Sequence, residues 1–561
     1  MRADVGLCVR RGARALLNGD AWMEKKHCLL ALAFLAAFAL RIYPTILSGL
    51  PFSTDAWSPI RNTELLLELT PVGLDDDVMD GYNCYWPANS LFGAVFSQAT
   101  GLKPMVAMAF GVPLAAALTV PILYVLMYVM SGSRGLAFLS SILLATAYPY
   151  ALFTAGVTKE TYANPLYVLS ILIFMSRGKW REAMLFAVAS LALAMAHHLT
   201  SLVAIAVLAS MALASSIMRV RRGAGPDASG LLLASILAAV TALYLGLYAH
   251  RGLKVALAPS DLLSALSYQA LAFAAALYLA LKPQSRSSWR TLLACVASAA
   301  LASLIAFLCT RRPITPDAPT LPGHYVMYAM PFVVAAPLAA LGLGRVRDAE
   351  GDAEGASSRA LLFWLSAVVG LEAYAVFGGP PLGLTLAYRA LNFLCAPLMA
   401  LSALGLHRLY GACGGSRRRG AARAAAVAAL VALASLGSYN VYASVSLQER
   451  YMGYFWLYRQ PEYHAAAWVK GAACGQTVAG DVKASCMLGG YFGLDVDVLQ
   501  GLRYLSGRAG SRPQALFTYD QMERNGYVVH GGYSVDLPEG WREEALRLDL
   551  AYSNGVACIY A

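Results

Sequence analysis

The sequence predicts a polytopic α-helical membrane protein of about 13 transmembrane helices, followed by a small external C-terminal α/β domain. Three observations predict it. The chain of 561 residues is 58% hydrophobic and only 13% charged, where an ordinary soluble domain carries roughly 25% charge. Apolar runs close to the roughly 20 residues that cross a bilayer recur along most of its length, separated by short polar loops. Past residue 446 the pattern changes to short apolar alternations, QTVAGDV and GVACIYA, punctuated by the turn signals LGGYFG, RNGY, HGGY, LPEG and YSNG. That is the signature of a compact α/β fold rather than of further spans.

The first span, 28–47, follows a basic flank of Arg10, Arg11, Arg14, Lys25 and Lys26. No small-x-small cleavage site precedes the next polar loop, so we read this run as a retained anchor rather than a signal peptide. Residues 1–27 then form a cytoplasmic segment. The remaining spans are expected near 105–130, 135–152, 162–176, 183–196, 200–218, 231–250, 263–281, 291–309, 324–344, 360–378, 386–407 and 421–443.

The loops between them alternate in charge. One set carries Arg134, then Arg177, Lys179 and Arg181, then Arg219, Arg221 and Arg222, and so on to Arg417, Arg418, Arg419 and Arg423. The other set is poorer, with Arg61, Lys103, Lys159, Arg251, Lys254, Arg311 and Arg312. Basic loops stay in the cytoplasm, so the N-terminus is expected inside. An odd number of spans then places 446–561 outside. The membrane domain is 28–445, with a large external loop at 48–104, and the protein is a multi-pass protein of the cell membrane. The net charge of +11 belongs to this loop pattern and to anionic headgroups, which leaves no call for a nucleic-acid partner.

Ten cysteines are scattered without CxxC or Cys/His metal spacing. Cys474 and Cys486 fall in the tail and are placed to form a disulfide if that domain is external.

This orientation gathers ionisable residues on one face. Asp55 lies in PFSTDAWSP just after the first span. Its pattern allows two roles: the N-cap of a following helix that has Pro59 near its start, or a general base at the membrane surface. The acidic triplet Asp75, Asp76 and Asp77, with Asp80 behind it, is either a solvated turn or a set of hard oxygen donors for a divalent cation. In DGYNCYWP, the side chains of Tyr82, Asn83 and Trp86 suit a sugar ring as well as they suit an interfacial aromatic belt. Arg61 sits nearby on the same loop. The turn TAGVTKETYANP holds Lys159, a point charge for a phosphate, beside Glu160, a second acid or a metal ligand.

His197 and His198 occupy a very short loop. Adjacent histidines chelate one ion poorly, so phosphate or hydroxyl contact is the functional role open to them. Arg389 lies a few residues inside a span, where a lone guanidinium needs a partner; a phosphate oxygen fits its fork, and snorkelling is the alternative.

Together these pieces resemble the GT-C membrane glycosyltransferases, enzymes that use a polyprenyl-phosphate-linked sugar. The group includes oligosaccharyltransferase catalytic subunits, protein O-mannosyltransferases and aminoarabinose transferases. The resemblance covers about residues 28–443. It rests on FSTDAWSPIRNTELLLE and DGYNCYWP, on the second acidic turn AGVTKETYANP, on Arg389 near the outer end of a late span and on the external tail. The resemblance implies that Asp55 is the catalytic carboxylate, that Glu160 stands in the second acidic motif, and that Arg389 meets the lipid phosphate. The DxD or DxE pattern is replaced by Thr158-Lys159-Glu160. A divalent cation, Mg or Mn, held by Asp55 and Glu160 is therefore an open question, and the lysine fits a metal-independent branch. No WWD motif occurs in 446–561, so en bloc N-glycosylation is not expected.

The expected function is transfer of a sugar from polyprenyl phosphate to a protein, lipid or glycan hydroxyl on the external face, with inversion. Asp55 serves as base. Lys159, Arg389, His197 and His198 meet the lipid phosphate, and Tyr82, Asn83, Trp86 and Arg61 meet the sugar or acceptor. The rival expectation is a polytopic lipid or solute transporter, which would carry internal repeats and midplane charges. No repeat is visible.

Overall fold

The computed structural model describes residues 21–69, 71, 79, 82–177, 180–252, 258–281, 288–315, 318–348, 353–380, 383–411, 416–447, 450, 456–472, 475–508, 511–530 and 533–561. All thirteen expected spans are helical. In chain order they are α1 (Ala21–Ser48), α2 (Pro104–Ala117 and Thr119–Ser131), α3 (Arg134–Thr146), α4 (Lys159–Ser176), α5 (Trp180–Ala196), α6 (His198–Val220), α7 (Ala228–Leu247), α8 (Pro259–Leu281), α9 (Ser288–Cys309), α10 (Val326–Asp348), α11 (Ala353–Phe377), α12 (Gly383–Tyr410) and α13 (Ser416–Ser446). Among the described residues, ten helices are long and apolar enough to cross a membrane; α3, α4 and α5 are the expected spans outside that set. The break in α2 at Leu118 precedes Pro121, whose missing N–H interrupts the ladder. The chain is a multi-pass membrane protein.

The chain divides into two units. The first comprises Met1–Leu40, Ala115–Phe153 and Ala163–Val441. Small residues set its packing. A Cβ on Gly342 of α10 would stand 2.0 Å from the Leu401 carbonyl oxygen of α12, and one on Gly405 would stand 2.0 Å from that of Leu338. The two backbones therefore touch directly, the close approach that small residues permit inside a bilayer. Ala33 and Ala37 of α1 pack in the same manner against Ala117, Val120 and Ala145. A polar contact locks the interior: Trp364 Nε1 donates to Tyr167 Oη at 2.6 Å, and Phe393 meets the Tyr167 ring edge-on at 5.5 Å. On α8 and α9 many leucines are bare, Leu263 at 68% and Leu271 at 66%. Apolar surface of that extent belongs against lipid.

At the polar ends of this unit, Asp227 caps α7 by accepting from Gly230 N–H at 3.2 Å and pairs with Arg177. Burial pushes the Arg177 guanidinium below its usual value, and the Asp227 charge opposes the shift.

The second unit comprises Arg41–Leu114, Thr154–Tyr162 and Tyr442–Ala561. Its C-terminal part has the expected α/β character. A five-stranded sheet runs β2-β1-β3-β7-β6, with β1 (Val478–Ala479), β2 (Val496–Asp497), β3 (Ala515–Tyr519), β6 (Leu550–Ser553) and β7 (Ala557–Tyr560). The β2–β1–β3 side is parallel and the β3–β7–β6 side antiparallel. A separate hairpin pairs β4 (Tyr527–His530) with β5 (Tyr533–Asp536). The strand β3 is buried along its whole length, as a central strand covered on both faces must be.

The core of this unit also takes in Leu50 and Trp57 from the first loop. There, the helices Trp57–Glu68 and Ala88–Thr100 are joined by two bonds. Thr63 Oγ1 donates to Ser90 O at 3.2 Å, and Ser90 Oγ donates to Pro59 O at 3.0 Å.

Candidate functional site

In the second unit, the candidate residues of the first loop and of the 154–161 turn are stitched together by backbone. After α1 the chain turns at Gly49 and reaches Ser53, whose φ of 93° and ψ of 143° lie in a region that is essentially reserved for glycine. Ser53 is the one non-glycine residue with positive φ among the described residues. Its Oγ accepts from the Asp55 N–H at 3.3 Å, and its carbonyl accepts from Ala56 N–H. Asp55 thus lies inside the short 3-10 turn Thr54–Ala56.

Asp55 occupies neither N-cap position: Ser53 caps the 3-10 turn, and Ala56 precedes the helix Trp57–Glu68. Ala56, at the N-cap of that helix, offers no side-chain acceptor. Asp55 is exposed while Thr54, Ala56 and Trp57 around it are buried.

The second turn is tied to this loop, since Val157 N–H donates to Phe52 O at 3.0 Å. Thr158 opens α4. Its Oγ1 accepts from Thr161 N–H at 3.0 Å and meets Thr161 Oγ1 at 2.9 Å. Glu160 falls in the first helical turn, where the helix dipole favours a negative charge, and is only 2% exposed. Lys159 directs its ammonium over aromatic faces, 3.9 Å from the Tyr82 ring centroid and 5.2 Å from that of Trp86. The Tyr82 and Trp86 rings lie 5.1 Å apart. Asn83 opens the 3-10 turn between them, with Trp86 N–H closing on its carbonyl at 3.1 Å. Two of the residues expected at the sugar therefore hold Lys159, and Trp86 is buried. Arg61 sits on the surface of its helix beside Glu64 at 3.4 Å and Glu68 at 4.0 Å.

In the first unit, Arg389 and His197 come together across 192 residues of sequence, with Arg389 Nη1 3.4 Å from His197 Nε2. A guanidinium can only donate, so this contact uses the Nε2 lone pair. On the other side of the ring, Nδ1 accepts from Thr200 N–H at 3.4 Å and faces Thr200 Oγ1 at 2.8 Å. His197 caps α6 and is buried, and the His198 ring lies 4.9 Å from it.

The triplet Asp75–Asp77, Asp80 and Cys474 lie outside the described residues. Among the described residues no group of three or more His, Cys, Asp or Glu side chains gathers as metal ligands. Asp55 and Glu160 alone are a thin donor set for a hard cation that prefers six or more oxygens. Mg2+ is commonly held by one or two carboxylates together with waters and substrate phosphates, which is the way this pair would hold one.

Several residues of this region carry no motif. Tyr491 Oη donates to Glu64 Oε1 at 2.8 Å. Trp57 is ringed by Tyr458 at 5.0 Å, Tyr463 at 6.1 Å and Tyr491 at 5.7 Å. Behind them lies a buried ion pair. Lys483 Nζ is 3.1 Å from Glu462 Oε2 and donates to Gln521 Oε1 at 2.8 Å, with both charges almost fully enclosed. Burial lowers the Lys483 ammonium and raises the Glu462 carboxyl, each held back by the charge of the other. Cys486 carries a free thiol. Burial first, then the charges of Asp55 and Asp481, push it up to about 12. The dense aromatics of YMGYFWLYRQPEY were the one sequence signal for this cluster.

No family model matches the chain, and no curated protein matches it. Solved structures do. The Archaeoglobus fulgidus oligosaccharyltransferase, crystallised in complex with Zn and sulfate, aligns over 88% of this chain and 68% of its own, at 14% identity and a TM-score of 0.57. Two structures of ArnT from Cupriavidus metallidurans, apo and bound to undecaprenyl phosphate, align over 96% and 97% of this chain and 98% of theirs. Their identities are 12% and 10% and their TM-scores 0.39 and 0.35. The first likeness shows a shared fold; the other two are too distant to add to it.

Proposed function

We propose that this chain, which has the fold of the GT-C membrane glycosyltransferases, transfers a sugar from a polyprenyl-phosphate donor to an acceptor hydroxyl on the external membrane face. The observation that carries this proposal is the setting of Asp55. An exposed carboxylate stands among buried neighbours on a strained turn of the first loop, and strain of that kind gathers at functional sites.

Asp55 takes the proton of the acceptor hydroxyl as its oxygen attacks the anomeric carbon. The bond from that carbon to the phosphate oxygen breaks, and the polyprenyl phosphate leaves with the electron pair. A single displacement inverts the anomeric centre. A general base of this kind contributes typically about 10²–10⁴-fold. Glu160, in the first turn of α4, is the second carboxylate of the site. Arg389, His197 and His198 bind the donor phosphate, for which a guanidinium fork is suited. Lys159 supplies fixed positive charge that favours the leaving phosphate. Tyr82, Asn83, Trp86 and Arg61 border the sugar or acceptor.

We further propose that the N-terminus is cytoplasmic and that residues 446–561 form the external domain, as the basic loops imply. A divalent cation, Mg2+ or Mn2+, is the alternative to Lys159 as the source of positive charge. The ammonium of Lys159, held over the Tyr82 ring, supports the lysine.

The test uses the full chain in lipid nanodiscs with a panel of polyprenyl-phosphate sugars. Sugar transfer or release is expected from at least one donor. Asp55→Asn should abolish transfer and leave donor binding unchanged. Full activity in that variant would sink the assignment of the base, and binding without turnover across the panel would favour a transporter.

A further inference from the structure

We infer that the segment Trp456–Tyr458, the first described part of the chain after α13 and residue 450, is a strap that positions Asp55, with Ser53 and Trp456 as its positioning residues. The inference rests on the proposal that Asp55 is the base.

Three contacts run along the strap in register. The Trp456 ring meets the Phe52 ring edge-on at 6.0 Å. The Trp456 carbonyl accepts from Ser53 N–H at 2.9 Å. Two residues on, Tyr458 meets Trp57 edge-on at 5.0 Å. The strap thus follows 52–57 side by side and holds it on both flanks of Asp55.

Its far end is anchored. Tyr458 is 1% exposed, its Oη donates to Lys483 O at 2.8 Å, and Lys483 is fixed by the buried pair with Glu462. The near end acts on the turn itself. Ser53 occupies a backbone conformation that a serine avoids, and a residue stays there only when its surroundings over-determine it. Those surroundings are the Trp456 carbonyl on its N–H and the Asp55 N–H on its Oγ. Phe52, one residue earlier, passes the constraint to the second turn through Val157 N–H at 3.0 Å. One strap thereby fixes Asp55 and the turn that leads to Lys159 and Glu160.

Two substitutions separate positioning from stability. Ser53→Gly relieves the strain and removes the Oγ acceptor, so the fold should hold or gain stability. Trp456→Ala removes the ring from Phe52, and Trp456→Phe restores an edge contact. We expect Ser53→Gly and Trp456→Ala to lower kcat about 10- to 100-fold, the scale of a misplaced group, with KM for the donor unchanged and Trp456→Phe near wild type. Amide exchange across 52–57 should speed up at least tenfold in Ser53→Gly and Trp456→Ala and not in Trp456→Phe. Exchange at wild-type rates in both variants would overturn the strap, as would faster exchange with wild-type kcat. Faster exchange in a chain whose wild type shows no transfer from any donor would instead overturn the proposed function and leave the strap standing.

Discussion

The ammonium of Lys159 lies 3.9 Å from the centroid of the Tyr82 ring and 5.2 Å from that of Trp86, one residue before a carboxylate that is only 2% exposed. Cation–π contacts of this kind are worth about 0.5–2 kcal/mol, enough to keep the charge in one place.

If Lys159 is the fixed cation of the site, Lys159→Met lowers transfer by about 10², as loss of one preorganised electrostatic contact does. Lys159→Arg retains part of the rate, and Tyr82→Ala lowers it less than Lys159→Met. Chelation by EDTA leaves transfer within about twofold, since the charge is the protein's own. Labelled-sugar transfer measures all four. Loss of activity in EDTA with recovery on Mn2+ would replace the lysine by a metal.

The 3.4 Å contact between Arg389 and His197 makes a different prediction. Arg389→Ala should weaken donor binding about 10- to 100-fold, from the roughly 1.5–3 kcal/mol of a charged hydrogen bond. Arg389→Lys should recover only part, because a point charge does not reproduce the fork. His197→Ala should shift donor binding in the same direction by less. Titration of a fluorescent polyprenyl phosphate reads these, and an unchanged Kd in Arg389→Ala would remove it from the phosphate.

The buried pair Lys483–Glu462 governs stability. Lys483→Met alone strands a buried carboxylate and should cost about 3–5 kcal/mol, while Lys483→Met with Glu462→Leu should come close to wild type. The pH dependence follows the same logic. Because burial raises the Glu462 carboxyl, its folded form holds a proton that the unfolded chain has released. Its contribution is full below the unfolded value and is lost as pH rises through the folded one. Lys483 is lowered, so its contribution grows as pH rises toward the unfolded value. The double variant should flatten both trends in thermal melts across pH 4–10.

Cys486 reports on Asp55. With the thiol pushed up to about 12, only a fraction on the order of 10⁻⁴ is thiolate at pH 8, and alkylation is correspondingly slow. Asp55 contributes to that shift, so Asp55→Asn should speed iodoacetamide labelling of Cys486. Mass spectrometry of the tail peptide measures it. Equal rates in both proteins would mean that the Asp55 charge does not reach the thiol.

The spans were legible because burial against lipid demands long apolar runs, and those runs tolerate few exceptions. The turns of the tail were legible because Gly526, Gly540 and Gly555 occupy positive φ where other residues are strained. The site was legible only in part. Asp55 and the Lys159–Glu160 turn were singled out from local patterns, but the bond from Val157 to Phe52 that joins their loops spans more than a hundred residues. No local period encodes that bond. Of the two roles the pattern allowed Asp55, the N-cap position went to others: Ser53 caps the 3-10 turn, and Ala56 precedes the helix Trp57–Glu68. Arg389 needed a partner inside the bilayer; that His197 lies beside it follows from helix packing, which a single sequence does not display.

The backbone contact between Gly342 and Leu401, matched by that between Gly405 and Leu338, has a mechanical consequence. Two helices that touch carbonyl to Cα in two places are keyed together like a shaft in its hub. Neither can rotate or slide by a fraction of a turn without collision, so Arg389, carried on the same helix as Gly405, has a fixed axial station. On the proposed function, a long prenyl chain would enter past other helices and not between this pair.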